Sequence, residues 1–110
     1  MLAFRRFLVV VRLGDTSPRH LAAVVPPLQT QLASVSAIAP ELVWRSVTAD
    51  VFGYFVKSTL NAAQISAAID KPANKPAFLG GHDSVLVIEV GIDFSASQEF
   101  TMPTTWLHRN

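Results

Sequence analysis

The sequence predicts an α+β fold, and three observations carry that expectation. Runs rich in branched and aromatic residues, the composition of β-strands, recur four times. Two other stretches place apolar residues at spacings of three and four, the stripe of an amphipathic helix. Their order is β-α-β-β-α-β, the split βαβ arrangement of the ferredoxin-like class. That class has a four-stranded antiparallel sheet with two helices on one face, followed here by an irregular C-terminal tail. The 110 residues fit one ferredoxin-like domain over 1–110, in which the tail 92–110 adds an edge strand near Phe94 and a last turn around Trp106.

Residues 4–13, FRRFLVVVRL, form the first strand. GDTSP then provides a turn, with Ser17 as helix N-cap and Pro18 at the first helical position. Leu21, Val24, Val25, Leu28, Leu32 and Val35 make the apolar stripe of a helix over 18–37. The stripe stays in phase across Pro26 and Pro27, so one helix kinked near Val25 is expected, although an interior proline costs about 3 kcal/mol. Two helices are the alternative. Pro40 closes this element. ELVWRSV and VFGYFVK flank TAD as a hairpin. Asn61 caps the second helix, with Gln64 three residues on to complete a capping box and Leu60 with Ile65 as a hydrophobic staple. Lys71-Pro72 ends it. KPANKPAFLGGHDS reads as a loop, and VLVIEV as the fourth strand.

Composition narrows the function. Half the residues are apolar and 15% are charged, the balance of a folded globule. Cysteine is absent, which excludes disulfides, thiolate zinc sites and cysteine nucleophiles. The FRRFLVVV start resembles a twin-arginine export signal, but Arg12 and Gly14-Asp15 interrupt it, so an internal strand and a cytoplasmic protein with no membrane partner are expected. The net charge of +1 makes no case for nucleic acid. Its distribution is uneven: residues 1–57 carry six basic and three acidic groups, residues 58–110 three and five.

Three stretches invite chemistry. At FVKSTLNAAQIS a helix N-terminus meets Lys57, Ser58 and Thr59, the setting of an anion site. No glycine lies between 54 and 79 to let a phosphate approach, and Asn61 and Gln64 use the same N–H groups, so capping is the expected role. GGHDS puts His82, Asp83 and Ser84 in one loop, but adjacent residues do not converge as a triad does, and two side chains are too few for a metal. His20 and His108 show no partner. Trp44, Phe52, Tyr54 and Phe55 lie on the hairpin, where an open sheet face could stack bases beside Arg45 and Lys57; core packing is the plainer reading. Arg6, Arg12, Arg45 and Lys57 are the candidate nucleic-acid contacts. No cofactor is expected.

YFVKSTLNAAQISAAI followed by DSVLVIEV resembles small bacterial ferredoxin-like proteins of the SinR-like group, over roughly residues 42–92. That group in turn resembles the CRISPR-associated integration subunit and the VapD-type ribonuclease toxins. The resemblance implies a homodimer and, in the nuclease branches, a metal-binding acid just after the first strand. Here the first strand runs out through Arg12 and Leu13, and Asp15 is the nearest acid. An arginine in that place repels a divalent cation, so Asp15 is a metal candidate only if a ribonuclease reading holds.

The leading expectation is therefore a non-catalytic, homodimeric interaction or accessory protein. A nucleic-acid-binding protein or metal-dependent ribonuclease is the rival, and a small-molecule binder near His82 the third class. The dimer would form through the sheet face that the helices leave open. Phe4, Leu8 and Val10 of the first strand and Val85 and Val87 of the fourth are expected there, with Arg6 paired to Glu89 at the rim. The competing expectation is that the tail, with Phe94, Phe100 and Trp106, folds back over that face.

Overall fold

In the computed structural model, which describes residues 3–73, 75–91, 106–107 and 109–110, strands and helices follow the expected order. They are β1 (Arg5–Arg12), α1 (Pro18–Val35), β2 (Glu41–Arg45), β3 (Val51–Ser58), α2 (Ala62–Asp70) and β4 (Ser84–Val90). The sheet is antiparallel throughout, in the order β2-β3-β1-β4, with β1 and β3 at its centre. This is the ferredoxin-like arrangement. The expected edge strand near Phe94 lies outside the described residues.

α1 begins where the local chemistry requires. Ser17 accepts a hydrogen bond from the His20 N–H at 3.3 Å, and Pro18 at the first position has no N–H to lose. The helix then runs through Pro26 and Pro27 as one element. The two prolines cannot donate to the carbonyls of Ala22 and Ala23, and both of those residues are exposed, where water can replace the missing donors. The inward stripe of Val24, Leu28 and Leu32 is fully buried. α2 carries the complete capping box: Gln64 N–H donates to Asn61 Oδ1 at 2.8 Å, and Asn61 N–H to Gln64 Oε1 at 2.9 Å. Ile65 and Ile69 are its buried positions. α1 and α2 touch each other, and α2 lies against β4.

The β2–β3 connection is held by one carboxylate. Ser46 and Thr48 hydroxyls donate to Asp50 at 2.5 and 2.6 Å, and the Asp50 and Val51 N–H groups donate to Ser46 Oγ. Those two hydroxyls hold the Asp50 carboxyl below the usual carboxylate range. Ala49 sits at φ 59°, the left-handed region, so the turn closes at some backbone cost. A register shift between Leu42 and Trp44 makes β2 an irregular, short edge.

The main core lies between sheet and helices. Phe7, Val9 and Val11 of β1, Phe52, Tyr54 and Val56 of β3, and the buried residues of both helices form one cluster. Directly opposed residues of an antiparallel pair point to the same face. The β1–β3 register, Val9 opposite Tyr54 and Val11 opposite Phe52, therefore places Phe52 and Tyr54 on the helix side, and Phe55, opposite Leu8, on the other.

The same rule corrects the expectation for β4. Val85 is opposite Val11 and Val87 opposite Val9, so both belong to the helix side, where they pack against the main core. Leu86, Ile88 and Val90, opposite Val10, Leu8 and Arg6, are the open-face set. Glu89 shares the helix side with Val85 and Val87, and it pairs with Arg5 at 3.0 Å, not with Arg6. Both side chains of that pair are about half exposed, so the charge at the strand end stays in water.

Candidate functional site: the open face of the sheet

The side of the sheet away from the helices is built in rows across the strands. One row runs Trp44, Gly53, Val10, Leu86, and the next Phe55, Leu8, Ile88. Beyond them lie Lys57, Arg6 and Val90 at one end, and Val51, Arg12 and Ser84 at the other. Gly53 leaves a shallow dent in the first row. A side chain added there would sit 3.7 Å from Leu8 and 3.9 Å from Val43, in ordinary contact.

The C-terminal residues cover part of this face. Trp106 stacks on Phe55 with ring centroids 5.8 Å apart and planes inclined by 23°. Trp106, Leu107 and Phe55 are buried together, against Leu8, Ile38, Val43 and Val90. The Arg6 guanidinium holds the tail down: it donates to the Leu107 carbonyl at 2.8 Å and to the Gly91 carbonyl at 2.9 Å. Asn110 closes the segment by donating from backbone and side chain to the Trp106 carbonyl. Of the tail residues expected to cover the face, Trp106 does so, whereas Phe94 and Phe100 lie outside the described residues. Leu107 was not singled out in the sequence, because nothing in a tail of mixed polarity marks which apolar residue returns to the sheet; nor was Ile38, which lies between α1 and β2 outside any periodic stretch.

What the tail leaves open is apolar. Trp44 is 39% exposed, Leu86 56% and Ile88 47%, with Val10 between them half-buried. Phe4, 56% exposed, lies outside the strands under the Lys57 ammonium, which is 5.8 Å from its ring centroid. Of the five residues expected at a dimer interface, Phe4, Leu8 and Val10 are on or beside this face, and Val85 and Val87 are not.

The four candidate nucleic-acid contacts are not brought together. Arg6 and Lys57 are register partners on the open face, but Arg12 sits six residues along β1, roughly 20 Å away at strand rise. Arg45 is opposite Phe52, so it belongs to the helix side of the edge. Its charge is felt there by the Tyr54 phenol, whose pKa burial raises against the opposing pull of Gln29 and Arg45. Of the four hairpin aromatics, Trp44 alone presents an exposed ring.

Asp15 is occupied as a local cap. Its carboxylate accepts the Ser17 N–H at 2.8 Å, and this bond, with the Ser17 hydroxyl, holds its pKa below the usual range. No group of three or more histidines and carboxylates able to hold a metal occurs among the described residues.

GGHDS has a structural task that the sequence did not disclose. Asp83, its side chain 2% exposed, accepts the Gly14 N–H at 2.9 Å, the Gly80 N–H at 2.7 Å and a hydrogen bond with His20 Nε2 at 2.8 Å. Burial alone would raise its pKa; the N–H donors of Gly80 and Gly14, with His20, outweigh it and hold the carboxyl low. His20 therefore has a partner, and His82, exposed, faces elsewhere. Asp83 ties the end of β1, the start of β4 and the first turn of α1 at one point. Gly14 is required there for approach: a Cβ would stand 2.5 Å from His82 Cβ and 2.7 Å from its carbonyl oxygen.

No family model, curated protein or solved structure matches this chain. No helix among the described residues is long and apolar enough to cross a membrane.

Proposed function

We propose that the protein is a non-catalytic module that acts by self-association through the uncovered part of the open sheet face. The observation that carries this is the row Trp44, Gly53, Val10, Leu86, with Ile88 beside it: an apolar strip across all four strands in which Trp44, Leu86 and Ile88 are exposed. Domains bury a sheet face against a second layer, and here the helices supply that layer on one side only. The molecule is a slab about 37 by 36 Å across and 18 Å thick, room for the roughly 800 Å² per partner of a standard interface. A two-fold axis through the strip sets the same row against itself, which is the self-complementarity that a symmetric dimer requires. Each 100 Å² of apolar surface covered favours association by about 2.5 kcal/mol before entropic costs.

The nuclease reading has less behind it. Asp15 spends its carboxylate on Ser17, and the candidate cations are divided between two faces and two ends of the sheet. Purified protein is expected to leave RNA intact with Mg²⁺ or Mn²⁺, and any nucleic-acid binding to vanish near physiological salt.

Light scattering tests the proposal. At high micromolar concentration the expected mass is twice 11.9 kDa, and Leu86→Asp is expected to give a folded monomer. Wild-type protein that stays monomeric at that concentration would sink the proposal.

A further inference from the structure

We infer a second site, on the opposite side of the molecule, for a small amphipathic carboxylate. A groove of about 580 Å³ lies between α1 and the loop that follows α2, within the range of small-ligand pockets. Its walls are Pro26 and Pro27 of α1 and Pro72, Pro76 and Phe78 of the loop. Four prolines make a wall of fixed backbone that loses little freedom when a ligand enters.

A second compartment of about 480 Å³ lies beside the groove, along the seam of the two helices. Gln31 and Lys75 line both, so they stand at the boundary. The second compartment adds a second cation: Lys71 lines it with Ser34 and Gln64, over a floor of Ala67, Ala68 and Ala73. No acidic side chain is among the described lining of either one. The site thus has a proline-walled end and an end that carries both lysines, meeting at Lys75.

Gln31 is already committed to holding the seam. Its amide donates to the Ala68 carbonyl on α2 at 3.0 Å, and its Oε1 accepts a long hydrogen bond of 3.4 Å from Lys75. That bond poises the ammonium at the boundary without neutralising it, and Lys75 makes no ion pair among the described residues. A carboxylate is the group that would complete it, because it offers the ammonium a full opposite charge and short N–H···O bonds, where the Gln31 amide offers only a neutral oxygen at 3.4 Å. The ligand that fits is an alkyl chain or aryl ring lying in the proline-walled end, with its carboxylate on Lys75 and Lys71 beyond. Free phosphate would satisfy the lysines and leave the proline-walled end in water; an alcohol would do the reverse.

Octanoate is the probe, titrated into the full chain below its micellar concentration and followed by amide chemical shifts. Saturable shifts at Ala23, Gln31, Ala68 and Lys75 are expected. Lys75→Gln should weaken binding at least tenfold while leaving the rest of the spectrum unchanged; Phe78→Ala, which also thins the packing on the main core, should weaken it at least as much. 1-Octanol and inorganic phosphate should each bind at least tenfold more weakly than octanoate. Shifts that fail to saturate, that fall on Leu86 and Ile88 instead, or that are indifferent to Lys75→Gln would overturn the inference, as would octanol or phosphate binding equally well. None of these readouts depends on whether the chain forms a dimer.

Discussion

On the helix side of the sheet, Phe7, Val9 and Val11 are at most 1% exposed; on the other side, Leu86 and Ile88 are 56% and 47% exposed. The residue types are the same on the two sides. What differs is the layer laid over them. α1 and α2 close one face with Val24, Leu28, Leu32, Ile65 and Ile69, all fully buried. On the other face, among the described residues, Trp106 stacked on Phe55, Leu107 beside it and the Arg6 clamp cover one part only. Apolar composition of a strand therefore says that a face wants covering, not that the chain itself covers it.

The two faces should differ most on truncating one leucine from each. Leu28→Ala removes side-chain atoms from a 0% exposed site and should cost about 3 kcal/mol of unfolding free energy in urea titration. Leu86→Ala, measured where the chain is dissociated, should change stability by about 0.5 kcal/mol or less. At high concentration the ranking narrows, because a partner that binds only the folded state adds stability by mass action, and Leu86→Ala removes part of that gain. An equal loss for both variants in dilute protein would mean that the chain covers its own open face more fully than Trp106 and Leu107 do.

How much of this the sequence discloses depends on the element. The order of strands and helices, the Asn61–Gln64 box and the buried stripe of α1 are legible because each rests on contacts within one element. The phase of β4 is not. Its two alternating sets are Val85, Val87, Glu89 and Leu86, Ile88, Val90, and the charge of Glu89 argues for sending the first set to solvent. The structure does the opposite. Asp83 has the parity of Val85 and reaches His20 on α1, which fixes that set toward the helices; Glu89 escapes burial by lying at the strand end beside Arg5. The decisive partner is 63 residues away, and no local pattern encodes it. The tail is illegible for the same reason: the residue that holds it is Arg6.

The Asp83 clamp is the second point at which the comparison can be broken, since it sets which face β4 presents. Asp83→Ala removes the carboxylate that accepts from Gly14, Gly80 and His20 and should cost about 2 kcal/mol, in the range for hydrogen bonds to a charged group. The wild type also carries a pH signature. The folded carboxyl titrates below its ordinary value of about 3.9, so its contribution is whole above that value and fades as pH falls through the lower folded one. Acidification from pH 5 downward should therefore destabilise the wild type more steeply than the variant, read as the difference in thermal midpoint. Parallel acid slopes would show that the clamp does not hold the carboxylate form, and with it the stated reason for the phase of β4.

A smaller effect than that of the Asp83 clamp is expected at the tail, and it reports how firmly Trp106 and Leu107 hold to the open face. Burying a tryptophan is worth about 3 kcal/mol, and its stack on Phe55 about 1 kcal/mol more. Against this stands the ordering of the last few residues, at roughly 1 kcal/mol or more each. The balance is about 1 kcal/mol, well under the cost of an equivalent truncation on the helix side. Trp106→Ala should lower stability by that amount, and it uncovers Phe55 and Leu8, so self-association should tighten several-fold. The two tryptophans make the state of the tail directly visible. In Trp44→Phe the remaining ring is Trp106, 6% exposed, and its emission should be blue-shifted and resist acrylamide. In Trp106→Ala the remaining ring is Trp44, 39% exposed, and dilute protein should be readily quenched. Raising the concentration should then protect Trp44 as the strip across the sheet is covered by a second copy. Free quenching of Trp106 in the first variant would remove the tail from the open face and leave the whole width of that face to the partner.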